Sequence, residues 1–389
     1  MTTAIDTTTD TVTPERLRER LRAGAPVGVL DVRAPETAEK WRINGGSIEY
    51  LNVPYYELLD GMPESVLTAL PEGPLVVVCA KGDSSELIVE QLADAGVDAV
   101  SLERGMRGWA DLYEYAELDV GTDATVAQYH RPSSGCLGYL IADGEEAIVV
   151  DPLLAFVDAY EQDARAFGAD LIGAVDTHVH ADHVSGLREL SARGVERMLP
   201  AAAVARGTAF EPDRTLADGE AITVGETTLE VLRTPGHTSG MTSLLVDGEV
   251  LLTGDGLFVD SVARPDLEDG DDGAPEAARQ LYDTLQELLG LDEGIVVAPA
   301  HASDGTPRRD DGTFTATLRT VRERLAVLDA DRETFVERVL ADMPPRPANY
   351  ETIIDTNLGR ADTDQTEALT MELGPNNCAA SAGGLEADD

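Results

Sequence analysis

Five of the six histidines in this 389-residue chain lie between residues 178 and 301, and aspartates stand beside them. His178, His180 and His183 occur in one short segment with Asp182, directly after the apolar run LIGAVD. This spacing does not place all four side chains on one helix face, but a loop at a strand end lets them converge. Imidazole and carboxylate groups are the ligands that a borderline divalent metal ion prefers. The segment therefore predicts several ligands of a metal site, with the remaining ligands elsewhere in the chain.

Three further candidate ligands follow β-type runs later in the chain. They are His237 in TPGH, Asp255 in TGDG and His301 in APAH. One such residue alone would more often be a core histidine or a turn aspartate. The clustering of ligand-type residues at several strand ends favours a metal centre instead.

Cys79 is the candidate nucleophile of the first third of the chain. It ends the apolar run LVVVCA and precedes the amphipathic stretch SELIVEQLADAG. A thiolate that faces a helix N-terminus is stabilised by backbone N–H groups, and Lys81 adds positive charge and a predicted substrate contact. Such a thiolate can attack a sulfane sulfur and carry it. The alternative role for Cys79 is structural, as a small buried residue at the end of a strand. We expect Cys136 to be structural and Cys378 to have no role.

Two patterns of elements must position these residues. Over residues 13–120, short apolar runs alternate with helical spacing, which predicts an α/β domain with a parallel sheet and flanking helices. Over residues 125–373, strand-rich halves flanked by helices fit an αβ/βα sandwich. We expect a linker at 121–135 and disordered tails at 1–12 and 374–389.

The charge is strongly acidic, with 73 Asp and Glu against 29 Lys and Arg and a formal net charge of −44. High salt screens the self-repulsion of such a surface, so we expect a halophilic protein. Nucleic acid and anionic membranes would be repelled and are not expected as partners. The chain has no long apolar run and no secretory signal, which predicts a cytoplasmic protein. A homo-oligomer stays open.

The order His-x-His-x-Asp-His, Gly-His, Gly-Asp and a final His resembles the metallo-β-lactamase superfamily over roughly residues 125–360. In its dinuclear form the resemblance implies two metal ions bridged by Asp255. The first ion would use His178, His180 and His237, and the second would use Asp182, His183 and His301.

Within this superfamily, flanking motifs resemble those of the persulfide dioxygenases. They are SGCLGYLI at 134–141, GDGLF at 254–258, ARPDL at 263–267 and PRPANYETII at 345–354. This resemblance implies one Fe(II) per chain, bound by His178, His237 and Asp255, with open positions for O2 and substrate. The residues His180, Asp182, His183 and His301 would then orient ligands and waters.

The same resemblance places Arg264 and Asp266 near the substrate pocket, where the arginine would bind a carboxylate of the thiol carrier. The alternative for these two residues is a surface ion pair.

The first domain resembles a rhodanese sulfurtransferase. The supporting motifs are LDVR at 30–33, RINGG at 42–46 and GMRGW at 105–109. Rhodaneses usually carry an arginine near the end of the cysteine loop, where this chain has Ser84. Thiosulfate is therefore a less suitable sulfur donor than a persulfide.

Together the two resemblances imply an enzyme of sulfane-sulfur metabolism. It would oxidise a low-molecular-weight thiol persulfide with O2 to sulfite and thiol, with the rhodanese domain transferring sulfur. One alternative is a dinuclear zinc thioester hydrolase similar to glyoxalase II. Another is a sulfur carrier or sensor without catalytic activity.

Overall fold

The computed structural model describes residues 10–45, 47–303, 305–341, 343–372, 378–380 and 385. The chain divides into two compact units. The first consists mainly of residues up to Tyr113 with Arg131–Ser134, and the second contains Glu114–His130 and Gly135–Glu372. The boundaries of 13–120 and 125–373 stay predictions.

The first unit is built on a five-stranded sheet in which all pairs are parallel, in the order β1-β5-β4-β2-β3. Its strands are β1 Thr11–Val12, β2 Val27–Asp31, β3 Ile48–Asn52, β4 Leu75–Val78 and β5 Ala99–Leu102. Its helices are α1 Pro14–Arg22, α2 Pro35–Lys40, α3 Glu64–Ala69, α4 Asp83–Asp94 and α5 Gly105–Ala110. The predicted parallel sheet with helices is confirmed.

Two local features explain this sheet. All four residues of β4 are buried, as expected for a central parallel strand that is covered on both faces. Thr11 and Val12, which we expected in a disordered tail, instead pair with Ser101 and Leu102 of β5. Residues 1–9 of that predicted tail lie outside the described residues.

The second unit contains a seven-stranded and a six-stranded sheet. The first has the order β12-β11-β10-β9-β8-β7-β6, and the second runs from β13 to β18 in chain order. The strands of the first are β6 Glu114–Glu117, β7 Thr125–His130, β8 Leu137–Asp143, β9 Glu146–Val150, β10 Asp170–Val175, β11 Glu196–Pro200 and β12 Arg214–Leu216. Those of the second are β13 Ala221–Val224, β14 Thr227–Arg233, β15 Thr242–Val246, β16 Val250–Gly254, β17 Val296–Pro299 and β18 Ala316–Thr317.

Eight helices complete the described part of this unit. They are α6 Val157–Ala166, α7 Leu187–Ala192, α8 Ala201–Ala205, α9 Gly270–Leu288, α10 Leu318–Arg324, α11 Arg332–Ala341, α12 Tyr350–Asn357 and α13 Gln365–Met371. One apolar cluster joins inward residues of both sheets, among them Ile141 and Val150 of one and Leu229 and Leu252 of the other. The predicted αβ/βα sandwich is confirmed.

The expected linker at 121–135 is wrong, because Thr125–His130 form strand β7 between β6 and β8. Its side chains are buried from Val126 to His130, and this includes Gln128, whose amide bonds Tyr139 and the Phe314 carbonyl. Because Gln128 and His130 are polar although they are buried, the pattern of apolar runs does not indicate this strand.

Within the described ranges, no helix combines the length and apolar character needed to cross a membrane.

Candidate metal centre and cysteine loop

The histidine segment is a loop that follows β10 and is fixed by a buried carboxylate. Asp151, at the end of β9, accepts hydrogen bonds from the Thr177 backbone N–H at 2.7 Å and from its hydroxyl at 2.9 Å. Because this hydroxyl donates to Asp151, its oxygen accepts the N–H of His178 Nδ1 at 2.9 Å. The proton on Nδ1 leaves the lone pair of His178 on Nε2, where a metal ion can bind it.

Asp255 reaches the same place from the end of β16. Gly254 has a φ of +51°, and a Cβ there would lie 2.2 Å from Met241 Cε and 2.7 Å from Thr177 Oγ1. Only glycine allows the strand end to approach the histidine loop this closely. The tight contact positions the following carboxylate, which is fully buried.

His178, His237 and Asp255 converge on one point. The Asp255 Oδ2 atom lies 3.4 Å from His178 Nε2 and 3.6 Å from His237 Nε2. All three side chains are at most 1% exposed, and one ligand-capable atom from each lies within 4.8 Å of the other two. His237 Nδ1 donates to the Arg264 carbonyl at 2.9 Å, which directs Nε2 toward Asp255.

The charges of these three groups suit cation binding. Burial lowers the pKa of His178 to about 4, with a contribution from His180, so its imidazole is neutral at pH 7. Burial also lowers the pKa of His237. For Asp255, burial alone would raise the pKa, but the His301 and His178 imidazoles hold it well below the usual range. Two neutral imidazoles and one carboxylate therefore face each other.

A metal ion fits these donors. His178 Nε2 and Asp255 Oδ2 are buried and have no hydrogen-bond partner among the described residues. Buried polar atoms normally have partners, so each such atom needs an explanation. Two donors that each lie about 2.0–2.2 Å from one ion are about 3–3.5 Å apart, close to the separations measured here. The donor set is that of a two-histidine, one-carboxylate site.

The other candidate ligands bond to one another. His180 Nε2 lies 3.1 Å from Asp151 and 3.9 Å from Asp176, and these three form a separate group. Asp182 Oδ2 contacts His183 Nδ1 at 2.9 Å and His301 Nε2 at 3.0 Å. Burial opposes charge on His301, yet Asp255 and Asp182 raise its pKa well above the usual value.

Arg264 and Asp266 form a buried pair, so the surface ion-pair alternative is wrong. The guanidinium of Arg264 is 1% exposed and bonds both carboxylate oxygens of Asp266, at 2.7 and 3.0 Å. Its third nitrogen donates to the Pro345 carbonyl at 3.0 Å. The pair borders a cavity of about 490 Å³ that Arg346 also lines. Substrate binding by Arg264 and Asp266 stays a prediction.

Two cysteines that we expected to be passive lie within this centre. Cys136 Sγ donates to Asp182 Oδ2 at 3.3 Å. Cys378 is 2% exposed and groups with Asp182, Asp255 and His301. Burial and the nearby carboxylates raise the pKa of the Cys378 thiol well above its usual value. The flanking sequence GPNNCAAS carries no periodicity that would have predicted this position.

The cysteine loop of the first unit has the predicted form. Cys79 follows β4, and its Sγ accepts hydrogen bonds from the Gly82 backbone N–H at 3.0 Å and from the Ser85 hydroxyl at 3.4 Å. Helix α4 begins at Asp83, so the sulfur faces its N-terminus. A Cβ on Gly105 would lie 2.2 Å from the Cys79 carbonyl oxygen, so a glycine is required there. Lys81 is exposed, and its contact with substrate stays a prediction.

Residues 132–301 match the metallo-beta-lactamase superfamily, and residues 13–112 match the rhodanese-like domain. The chain joins a rhodanese-like domain to a metallo-beta-lactamase domain. Over 247 residues it is 29% identical to the mitochondrial persulfide dioxygenase ETHE1 of Bos taurus, covering 61% of this chain and 89% of that protein. The human protein of the same name is 29% identical over 249 residues, with the same coverage. These similarities confirm the prediction of an enzyme.

Two further similarities bear on the metallo-beta-lactamase domain. The crystal structure of ETHE1 from Myxococcus xanthus has a TM-score of 0.53 and 27% identity, covering 61% of this chain and 99% of that one. Hydroxyacylglutathione hydrolase of Francisella tularensis subsp. novicida is 33% identical over 164 residues, covering 42% of this chain and 61% of that protein. The chain is thus similar both to proteins named persulfide dioxygenases and to a protein named a hydroxyacylglutathione hydrolase.

Proposed function

We propose that the chain oxidises a low-molecular-weight thiol persulfide with O2 to sulfite and the free thiol, using one Fe(II) per chain. The observation that carries the proposal is the group of His178, His237 and Asp255, in which two ring nitrogens lie 3.4 and 3.6 Å from one carboxylate oxygen. Relatives that match along most of their length and are named persulfide dioxygenases support the same reaction.

The proposed reaction balances as persulfide, O2 and water giving thiol, sulfite and two protons. An Fe(II) ion held by the three residues would supply open positions for O2 and for the persulfide sulfur. The Arg264 carbonyl accepts the N–H of His237 Nδ1 and so sets the tautomer of that ring, and the N–H of His301 Nδ1 donates a hydrogen bond to Asp255 Oδ1 at 2.5 Å. The other carboxylate oxygen, Asp255 Oδ2, therefore faces His178 and His237.

The rhodanese-like domain would move sulfane sulfur through Cys79. The thiolate attacks the outer sulfur of a persulfide, a new S–S bond forms at Sγ, and the old S–S electron pair leaves with the donor thiol. The Gly82 N–H and the Ser85 hydroxyl stabilise negative charge on the sulfur. Replacing Cys79 with Ser is expected to abolish sulfur transfer while O2 uptake on a free persulfide continues.

The acidic composition supports a cytoplasmic, salt-adapted setting for this enzyme, with small molecules rather than nucleic acid as partners. Measuring activity across a range of KCl concentrations tests this part of the proposal, and an optimum at low salt would contradict it.

Metal content and O2 uptake test the main proposal. The protein is isolated without oxygen, its metals are measured, and O2 uptake and sulfite release are followed with cysteine persulfide. We expect one iron per chain and one sulfite per O2. The variant Asp255→Ala should lose both metal and O2 uptake. Asp182→Asn should keep one iron, because Asp182 bonds His183, His301 and Cys136 and does not belong to the group of His178, His237 and Asp255.

A surface variant, Asp158→Asn, serves as the control, since that side chain is 80% exposed. Iron retained by Asp255→Ala with full turnover would refute the ligand assignment.

The second candidate function is a dinuclear zinc thioester hydrolase. It is favoured by the group of Asp182, His183 and His301 and by the hydrolase relatives. Two zinc ions per chain, lost in both aspartate variants, together with thioester cleavage and no O2 uptake, would establish it instead.

A further inference from the structure

The histidine loop, residues 176–184, is buried but contains no helix or strand. Its backbone N–H and C=O groups therefore need partners other than those of regular secondary structure, because an unpaired backbone group buried away from water is costly. Several of these partners are side chains that lie more than 170 positions further along the chain.

Asn357, the last residue of α12, forms three bonds to the backbone of this region. Its side-chain N–H groups donate to the His180 carbonyl at 3.0 Å and to the His183 carbonyl at 2.8 Å. Its amide oxygen accepts the Ser185 backbone N–H at 2.9 Å. These partners fix the orientation of the amide, since a carbonyl can accept only from its nitrogen and an N–H can donate only to its oxygen. One side chain thus joins both ends of the segment 180–185.

Glu372, which follows α13, bonds a residue of the same segment. Its Oε1 accepts the Val184 backbone N–H at 2.7 Å. Together with Asn357 it satisfies four backbone groups of residues 180–185. Both side chains lie outside residues 132–301, which match the metallo-beta-lactamase superfamily. Helices α12 and α13 therefore contribute directly to the shape of the histidine loop.

The segment held in this way carries Asp182, which is connected to the proposed iron ligand Asp255 through His301. Asp182 Oδ2 lies 3.0 Å from His301 Nε2, and His301 Nδ1 lies 2.5 Å from Asp255 Oδ1. A displaced segment would separate Asp182 from His301 and so change the direction in which Asp255 Oδ2 points. Side chains that orient a metal ligand in this way typically change metal affinity by about ten- to a hundredfold.

The place of the Asp182 oxygen matters more than its charge. The bonds from His183 and His301 both end on one atom, Oδ2, so an amide oxygen at the same place could accept them. Asp182→Asn can therefore keep its iron, whereas a shift of the whole segment removes the acceptor from His301.

We propose that Asn357 is a positioning residue for the iron centre, although its amide bonds the backbone and would not touch the ion. By fixing the histidine loop it holds Asp182 against His301, and His301 in turn directs Asp255. The inference rests on the proposed function, since it concerns the ion that this centre would bind. It requires that the three ligands alone do not bind the ion tightly unless α12 holds the loop.

The variant Asn357→Asp tests this role because it keeps the shape of the side chain and removes its N–H groups. A carboxylate oxygen would then face the His180 and His183 carbonyl oxygens, and neither could donate to the other. Asn349→Asp is the matched control. Asn349 lies at the other end of α12, and its amide donates to the Met371 carbonyl at 2.9 Å, so this variant loses a bond of the same kind that does not involve the histidine loop.

Metal binding by the full chain is measured without oxygen, after a chelator has removed the metal. Fe(II) is titrated in competition with a coloured chelator, and Co(II) is added to saturation so that its visible spectrum reports the geometry around the ion. We expect Asn357→Asp to bind Fe(II) about ten- to a hundredfold more weakly than the parent chain and to shift the Co(II) bands. Asn349→Asp should match the parent chain in both measurements.

Asn357→Ala removes the same bonds without adding a charge. It should weaken Fe(II) binding by about tenfold, and it decides the question if Asn357→Asp does not fold. Parent-like affinity and a parent-like Co(II) spectrum in the folded variants of Asn357 would overturn the inference and leave the proposed function standing. Equal weakening in Asn349→Asp would also overturn it, because loosening of α12 as a whole would then be the cause. If the parent chain itself bound no Fe(II), the proposed function would fail and the inference with it.

Discussion

Removing the metal ion should destabilise the metallo-beta-lactamase domain by an amount that the buried donors allow us to work out. His178 Nε2 and Asp255 Oδ2 are inaccessible to water and have no hydrogen-bond partner among the described residues. An unsatisfied buried polar atom costs about 1–3 kcal/mol. The two atoms together therefore cost the metal-free chain about 2–6 kcal/mol.

Binding of an ion removes this cost. The stabilisation that is measured then depends on the free metal concentration relative to Kd. At a free metal concentration about 100 times Kd, the folded state gains about 2.7 kcal/mol. For a domain of this size 1 kcal/mol corresponds to about 2–4 °C, so the shift should be about 5–10 °C. The assay is thermal unfolding without oxygen, with Fe(II) added to chelator-treated protein.

Asp255→Asn keeps the shape of the side chain but removes the charged donor, so we expect its melting temperature to stop responding to Fe(II). Asp158→Asn, with its exposed side chain, should respond like the parent chain. The reasoning is refuted if the parent shows no shift, or if Asp255→Asn shows the same shift as the parent.

Four further outcomes are expected. Gly254→Ala should cost about 2–5 kcal/mol in urea unfolding and weaken metal binding, because its Cβ would meet Met241 at a positive φ. Gly105→Ala should abolish sulfur transfer by Cys79 but not O2 uptake, and equal loss of both would contradict this. Burial raises the pKa of Asp176 to about 6, so its contribution to stability is present below about pH 4 and lost as pH rises through 6. Asp176→Asn should therefore gain stability relative to the parent at pH 7 but not at pH 4, measured by urea unfolding. Finally, raising KCl from about 0.1 to 2 M should raise the melting temperature, since salt screens the charge of −44.

That the histidines and Asp255 belong to one site could be predicted because each of these ligand-type residues follows a strand. The apolar pattern does not show that the site is assembled from both sheets, with the His178 segment after β10 of one sheet and the other ligands after β14, β16 and β17 of the other. β16 and β17 pair in parallel, so Asp255 and His301 leave their strands at the same edge. The parallel sheet with its helices and the sandwich followed from the alternation of apolar runs, whereas the order of the strands within each sheet was not predicted. Asp151, in contrast, stands in an ordinary strand-to-turn sequence, and only the contacts of Thr177 reveal that it orients His178.

Cys378 shows a different limit. Its place depends on backbone pairing between residues that are more than a hundred positions apart in the chain, and backbone hydrogen bonds carry no side-chain signature. The surface-pair alternative for Arg264 failed for a related reason. Burial of a charged pair is decided by the elements that cover it, here the Pro345 carbonyl and the neighbouring Arg346.

The hydrogen bonds of His301 bear on whether one or two ions bind. Its two ring nitrogens contact Asp255 Oδ1 at 2.5 Å and Asp182 Oδ2 at 3.0 Å. An ion that used His301 as a ligand would have to replace at least one of these bonds, and each charge-assisted bond contributes about 1.5–3 kcal/mol. An ion between His178, His237 and Asp255 Oδ2 replaces none of the bonds described for these atoms. The first ion is therefore expected to bind about ten to a hundred times more tightly than a second, which favours the mononuclear centre over the dinuclear one.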